Sequence, residues 1–534
     1  MSKKASISLL LILSVLLLSL PYLVPGTGYL SLVAFIPLLF AEQMATETGM
    51  KGFCWWHYLC FLLWNAATTF WVCNATVGGG IFACIANAFQ MSLVFGLFRW
   101  SRKHLQGVIP YLLLAFAWIA WERWYLTLAQ ISWPWLVLGN AFARTTGWIQ
   151  WYEYTGTLGG SLWIWATNLA VFGLLMVSRS GRWKTFNGKA RFAAISGTVL
   201  LFLAPPVVSL FIIPKPSEGE LDVFIAQPNI DVYDKFGGQT QEEQNASLLA
   251  MLDKAPDNRP ILLIAPETFT SDVIMNDVSV SPTVNAFGRF LKARPLSGLL
   301  FGASTWEYMA GRSRPSQTAR QLNNGNWVET HNTALLMDSS GAPQTYHKNK
   351  LVVGVEMIPY PAFFRPIDDW LGGVMGRCIG DGKAANLVFH LRDTSGAVVR
   401  NIPIGCAICY ESVYGEFCAD YIRRGAELLT IITNDAWWGD TPGYRQHLSY
   451  ASLRAIETRR WIARCGNTGI SAIIDPAGRI VKRTSWWQQD TLEGKVGLSD
   501  GRTFFVRHGD FVGRICVLMF LLMLLGAVVR RFTK

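Results

Sequence analysis

The sequence predicts a bundle of about eight transmembrane helices joined to one α/β domain inserted ahead of the last helix. Three observations carry this reading. Hydrophobic residues make up 51% of the 534-residue chain and charged residues only 16%, too little charge to cover a soluble protein of that length. Predominantly apolar stretches of roughly 17–22 residues, the length that crosses a bilayer, recur near 7–24, 28–44, 55–75, 78–98, 108–127, 160–178, 194–213 and 511–529. Beyond Pro214 the pattern changes to short β-rich runs separated by polar or helical stretches.

The first apolar stretch follows Lys3 and Lys4, as in a secretory signal, but Pro21 to Tyr29 offers no small-residue cleavage site and a second stretch follows at once. It reads as a retained helix. The 23 tryptophans suit membrane interfaces.

The formal net charge of +11 would fit nucleic acid, an anionic membrane surface or cytoplasmic loops. Its distribution favours the loops, and no nucleic-acid partner is expected. Basic residues lie at the N-terminus, at Arg99, Arg102 and Lys103, at Arg179, Arg182, Lys184, Lys189 and Arg191, and at Arg530, Arg531 and Lys534. The loops after the first and third spans have no Lys or Arg, and that after the fifth has only Arg144. The loop after the second span is ambiguous, with Lys51 beside Glu42 and Glu47; positive charge otherwise falls on alternating sides, as the positive-inside rule expects. Seven spans (1–215) then put residues 216–508 on the non-cytoplasmic side, and the eighth span with its tail (509–534) returns.

Within 216–508 the runs Leu221–Gln227, Ile261–Ala265, Leu299–Ser304, Thr333–Asp338, Ile402–Cys409 and Leu428–Thr433 predict strands, and 241–255 and 443–464 predict helices. The basic cluster Arg312–Arg320 reads as a solvated loop.

Of the ten cysteines only Cys406 and Cys409 have metal or redox spacing. No second Cys or His pair stands at zinc-finger distance, so no metal is expected. Three chemistry-bearing residues follow apolar runs: Glu267 after ILLIAP, Lys348 in TYHKNKLV, and Cys409 at the end of IPIGCAIC. A thiol attacks as its thiolate and needs a proton acceptor, while the carbonyl oxygen needs a positive or hydrogen-bonding partner. Taken singly, a cysteine at a strand end is most often packing, and a lone Glu or Lys is most often solvated.

Together, the strings APETF, YHKNKLV and ICYES resemble, in the same order, the Glu, Lys and Cys motifs of the nitrilase superfamily of carbon–nitrogen hydrolases. With the flanking helices, the chain is similar to the apolipoprotein N-acyltransferase family, whose plan is seven helices, a nitrilase-like domain and a final helix. Further matching strings are SWPW (Ser132–Trp135), EYTG (Glu153–Gly156), AQPNI (Ala226–Ile230) and TNDAWWGD (Thr433–Asp440). The resemblance implies an αββα sandwich for the α/β domain. It also implies that Glu267 is the general base, Cys409 the nucleophile and Lys348 the oxyanion partner, without a cofactor.

By the same resemblance Glu356 is a second glutamate that orients Lys348 or supports the intermediate. Tyr410 and Glu411 beside the nucleophile are expected to support the pocket, through backbone N–H groups near Tyr410 and through the Glu411 side chain. Lys350 competes with Lys348, lying on the same side if the segment is extended, and Cys406 competes with Cys409 but points to the opposite face of a strand. Trp437, Trp135 and Phe236 are the expected substrate-contacting aromatics; Phe236 stands where the family has tryptophan, and Val353 where proline is common.

The implied activity is transfer of a fatty acyl chain from a phospholipid, through a Cys409 thioester, to the α-amino group of a lipoprotein's N-terminal diacylglyceryl-cysteine. It implies a monomer in a bacterial inner membrane, with the catalytic domain periplasmic. A membrane-tethered amidase would use the same three residues, but one helix would then suffice as an anchor. A non-catalytic lipid-binding scaffold would not need the intact triad.

Overall fold

The computed structural model describes residues 2–231, 238–311 and 313–533. The chain divides into two compact units: Met1–Ile213, Asp440–Leu453 and His508–Lys534 form one, and Pro214–Gly439 with Arg454–Arg507 form the other.

The first unit is helical. Its helices are α1 (Lys3–Leu23), α2 (Ile36–Glu47), α3 (Phe53–Thr69), α4 (Val72–Ala75), α5 (Val77–Ser101), α6 (Ile109–Thr127), α7 (Tyr152–Arg179) and α8 (Gly188–Phe211). Helix segments lie at each of the eight expected apolar stretches, the last in the C-terminal helix given below. Among the described residues, six segments are long and apolar enough to cross a membrane: Lys3–Leu23, Gly28–Glu47, Val77–Ser101, Tyr152–Arg179, Gly188–Phe211 and Phe511–Thr533. The third stretch differs from its expected form, because it breaks into α3 and α4. α7 starts earlier than expected, at Tyr152, with Gly156 in a left-handed conformation (φ 63°) marking a kink within it.

Aromatic packing fills the interior of this unit. Phe35 stacks on Trp165 with ring centroids 4.2 Å apart and meets Trp118 edge-on at 5.4 Å. Among its buried polar groups, Asn168 accepts from the Phe35 backbone N–H and donates to the Ser31 carbonyl.

The second unit is built on two sheets. Its strands are β1 (Gly219–Gln227), β2 (Ile261–Ile264), β3 (Thr270–Ile274), β4 (Ser297–Met309), β5 (Arg320–Gln321), β6 (Trp327–Met337), β7 (Gln344–His347), β8 (Asn386–Arg392), β9 (Val398–Ile408), β10 (Leu428–Thr433), β11 (Ile462–Gly466), β12 (Ala472–Ile474), β13 (Ile480–Arg483) and β14 (Asp490–Leu498). One sheet runs β14-β1-β2-β4-β6-β5, with β3 paired to β4 and β7 to β6; the other runs β13-β12-β11-β10-β9-β8. The centre of each is parallel, β1-β2-β4 in the first and β9-β10-β11 in the second. Such strands are buried on both faces, which explains the unbroken apolar run ILLI and the mostly apolar, fully buried LLTIIT.

Helices α9 (Gln241–Leu252) and α10 (Pro282–Lys292) cover the first sheet, burying Leu248, Leu252, Phe287 and Leu291 against Phe224, Leu263 and Phe301. Shorter helices α11 (Pro361–Trp370) and α12 (Gly415–Arg423) follow; the Tyr421 hydroxyl of α12 donates to the Cys406 carbonyl of the second sheet. This is the αββα sandwich implied by the resemblance. One helix differs from expectation: α13 (Pro442–Thr458) stops six residues short of 464. Arg459 takes a left-handed conformation (φ 51°), and the apolar stretch beyond it pairs as β11 beside β10. The chain closes with α14 (Phe504–His508) and α15 (Phe511–Thr533).

Candidate active site

Parallel strands place chemistry at their carboxyl ends. Glu267 lies just past β2, Cys409 directly past β9, and Asn434 directly past β10. Ile408 and Ile432 are paired in register, so the last two emerge side by side. Lys348 follows β7 and is fixed there by its backbone N–H, which donates to the Asn332 carbonyl at 2.8 Å.

The charged groups converge in the interior. Lys348 Nζ lies 3.0 Å from Glu267 Oε1 and 2.8 Å from Glu356 Oε1, and the lysine is 1% exposed. Asn332 Nδ2 donates to the same two carboxylates at 2.7 and 2.8 Å. The other oxygen of each is held by a backbone N–H: Asn434 donates to Glu267 Oε2 at 3.0 Å and Val352 to Glu356 Oε2 at 2.8 Å. Burial opposes a charge on Lys348, but the two carboxylates outweigh it and hold its pKa well above the ordinary lysine value.

Cys409 is half-buried and sits at φ 50°, a conformation that side-chain-bearing residues rarely adopt and that marks functional turns. It opens a tight 3-10 turn, Cys409–Val413. Ser412 Oγ donates to the Cys409 carbonyl at 2.7 Å. Burial pushes the Cys409 thiol well above the ordinary cysteine range and the Glu267 charge pushes it further, while Lys348 and a hydrogen bond with Thr433 pull it back. The group therefore rests as a neutral thiol and needs its proton removed during attack. Thr268, next to Glu267, is also left-handed (φ 46°).

Glu411 ties the lysine segment to the cysteine turn. Its carboxylate accepts from the backbone N–H groups of Ile408 (2.8 Å) and Asn349 (2.7 Å) and from the Tyr346 hydroxyl (2.7 Å). Burial raises its pKa to about 7, against the pull of these donors.

Of the competing residues, Lys350 Nζ lies over the Tyr414 ring at 5.0 Å. Cys406 is fully buried, and burial pushes its thiol up to about 12. Tyr410 is buried edge-on to Tyr414, 5.2 Å between centroids. Trp437 is 40% exposed on the turn Asp435–Trp438 that follows β10. Trp135 belongs to the helical unit and is buried there; its indole N–H donates to Gln446 at 2.6 Å and its ring stacks on Trp133. Phe236 lies outside the described residues. Asn332 escaped the sequence reading, because a lone Asn among the polar residues ETHNT of a strand carries no spacing signal. Asn434 was within reach, since TNDAWWGD matches the family.

A strand-end thiol beside a buried lysine–glutamate cluster on an αββα sandwich is the arrangement of a carbon–nitrogen hydrolase, and the carbon–nitrogen hydrolase family model matches residues 305–504. The model of the apolipoprotein N-acyltransferase N-terminal domain matches residues 14–170. With both parts in one chain, the protein belongs to the apolipoprotein N-acyltransferase family. Relatives of that name include the protein of Chlorobaculum tepidum, 29% identical over 94% of this chain and 92% of the relative. That of Geobacter metallireducens is 26% identical over 95% of this chain and 93% of the relative. That of Azotobacter vinelandii is 29% identical over 79% and 74%.

Proposed function

We propose that the protein moves a fatty acyl chain from a phospholipid onto the α-amino group of a lipoprotein's N-terminal diacylglyceryl-cysteine, in two steps through a thioester on Cys409. The carrying observation is the buried Lys348–Glu267–Glu356 cluster that electrostatically engages a strained, half-buried thiol.

In the first step Cys409 Sγ attacks the phospholipid ester carbonyl as its proton passes to Glu267. Lys348 faces the developing oxyanion, where a preorganised charge lowers the barrier most. The C–O bond then breaks, the lysophospholipid alkoxide takes the proton from Glu267, and the thioester remains. In the second step the acceptor amine attacks the thioester, giving up a proton to Glu267 as the amide forms. The thiolate leaves and is reprotonated. One pocket serves both half-reactions, so ping-pong kinetics are expected. Glu356 and Asn332 hold Lys348 and Glu267 in register, Glu411 braces the Cys409 turn, and Trp437 lies open to the substrate chains.

Lipid substrates fit a protein that carries several membrane-length apolar helices. The alternation of basic loops supports an inner-membrane protein with residues 216–508 on the periplasmic side. All the proposed catalytic groups come from one chain, so a monomer suffices.

The test is acyl trapping. Phospholipid radiolabelled in its fatty chain should leave label on the wild-type protein and none on Cys409→Ala. Adding a diacylglyceryl peptide should move that label to the peptide N-terminus, read by mass spectrometry. Release of free fatty acid alone, with acceptor present, would make the protein a hydrolase instead.

A further inference from the structure

The geometry points to a binding site for one divalent transition-metal ion on the β4–β6 ribbon, formed by Glu307, Glu329 and His331. β4 and β6 are antiparallel, with Glu307 directly opposite Glu329 and Thr305 opposite His331. Side chains alternate along a strand, so Glu307, Glu329 and His331 share one face. Asn332, which holds Glu267 and Glu356, points to the other. One ligand atom from each of Glu307, Glu329 and His331 lies within 4.8 Å of the other two.

The histidine is the observation that asks for a ligand. It is 6% exposed, and its Nδ1 lies 2.8 Å from the Ile379 carbonyl. A carbonyl only accepts, so Nδ1 carries the proton, and in the neutral ring Nε2 presents a lone pair. That Nε2 is buried with no hydrogen-bond partner, and Glu307 Oε2 stands 3.7 Å from it. The ring is backed by His347, stacked at 4.2 Å. A backbone carbonyl that fixes one ring nitrogen while the other faces carboxylates is how proteins orient metal-binding histidines.

The two carboxylates meet across the strand pair, where like charges destabilise a sheet. Among the described residues no lysine or arginine pairs with either of them. A cation between them removes that repulsion and completes the unpaired imidazole. The donor set of one imidazole nitrogen and two carboxylate oxygens suits zinc, cobalt or manganese rather than a thiol-seeking ion. Tetrahedral zinc with bonds of about 2.0–2.2 Å sets its ligand atoms about 3.4 Å apart. Glu307, 41% exposed, is free to close the difference and leaves a position for water.

Full-length protein in detergent, stripped with chelator, would be titrated with Zn2+ by calorimetry and with Co2+ by absorption. One site of about micromolar affinity is expected, not displaced by Mg2+. Its Co2+ spectrum should lack the thiolate charge-transfer band that any of the ten cysteines would give. Glu307→Gln should weaken the site about tenfold or more without lowering the metal-free melting temperature, because the side chain is half-exposed and its loss relieves the repulsion from Glu329; Glu329→Gln should do the same to affinity. Unchanged affinity in both variants, a thiolate band at the stoichiometric site, or no binding tighter than about millimolar overturns the proposal.

Discussion

Lys348 and Glu267 form a buried ion pair at 3.0 Å, with 1% and 6% of their side chains exposed. Removing one partner from such a pair leaves an uncompensated charge in a poorly solvated place. Lys348→Met strands two carboxylates, so a stability loss of about 3–5 kcal/mol is expected. Acyl transfer should fall by about 10²–10³-fold from loss of the oxyanion partner. Thermal unfolding in detergent and turnover of labelled phospholipid measure the two. A Lys348→Met protein with near-normal turnover would remove this lysine from the mechanism.

Asn332 donates to Glu267 and Glu356 with a single amide nitrogen. Asn332→Leu should lower turnover by about tenfold while Cys409 still acquires label, since the nucleophile is untouched. Asn332→Asp should be worse than Asn332→Leu, because it adds a third carboxylate to the cluster. Equal effects of the two would show that only packing is at stake.

Gly302 lies where β4 passes closest to the glutamate segment. A Cβ there would come 2.5 Å from the Thr268 backbone nitrogen and 2.6 Å from the Glu267 Cα. Both are main-chain atoms of a segment held on either side by Gly302, which donates to the Pro266 carbonyl and accepts from the Phe269 N–H. Gly302→Ala must therefore displace Glu267, with about 1–3 kcal/mol of destabilisation and a loss of acyl-enzyme formation. A Gly302→Ala protein that acylates at the wild-type rate would count against Glu267 as the base.

Glu411 gives the fold a pH dependence of known sign. Its folded pKa of about 7 lies above the 4.5 of an unperturbed carboxyl. The unfolded chain thus ionises first as pH rises, and the stability this group supplies at acid pH is lost between about 4.5 and 7. A shift of that size corresponds to about 3 kcal/mol. Glutamine cannot titrate, so the stability advantage of wild type over Glu411→Gln should shrink across that window and stay level above it. Melting temperatures of both proteins from pH 4.5 to 8 check this; a constant gap would mean that Glu411 stays ionised.

Much of this architecture could be read from the chain because the relevant signals are local. Parallel central strands show as solid apolar runs, and Glu267 and Cys409 stand at their ends, where α/β folds gather chemistry. Strand alternation separated Cys406 from Cys409 for the same local reason. The misses are the contacts that only pairing creates. Asn332 reaches the carboxylates because β6 lies beside β4, and nothing around it in HNTALLM says so. Glu307 meets Glu329 and His331 through the same pairing, so a search for metal-ligand spacings along the chain passes over them. The end of α13 was missed because its helical periodicity runs smoothly into WIARCG, and only the reversed backbone at Arg459 stops it. Trp135 was expected at a substrate surface from its place in the outward loop after the fifth span; its indole N–H donates to Gln446.

That hydrogen bond bears on how the protein could ever be taken apart. Gln446 and Tyr450 lie in Asp440–Leu453, a stretch that grows out of the α/β unit in sequence yet packs with the helices, where Gln446 also reaches the Tyr22 and Thr68 carbonyls and Tyr450 the Trp135 carbonyl. Trimming the chain to 214–507 would carry this piece away from every one of those partners and leave a hole among Tyr22, Trp71 and Trp135. Cuts at 214 and 507 therefore do not separate the two units, and a catalytic piece trimmed there is expected to precipitate rather than work.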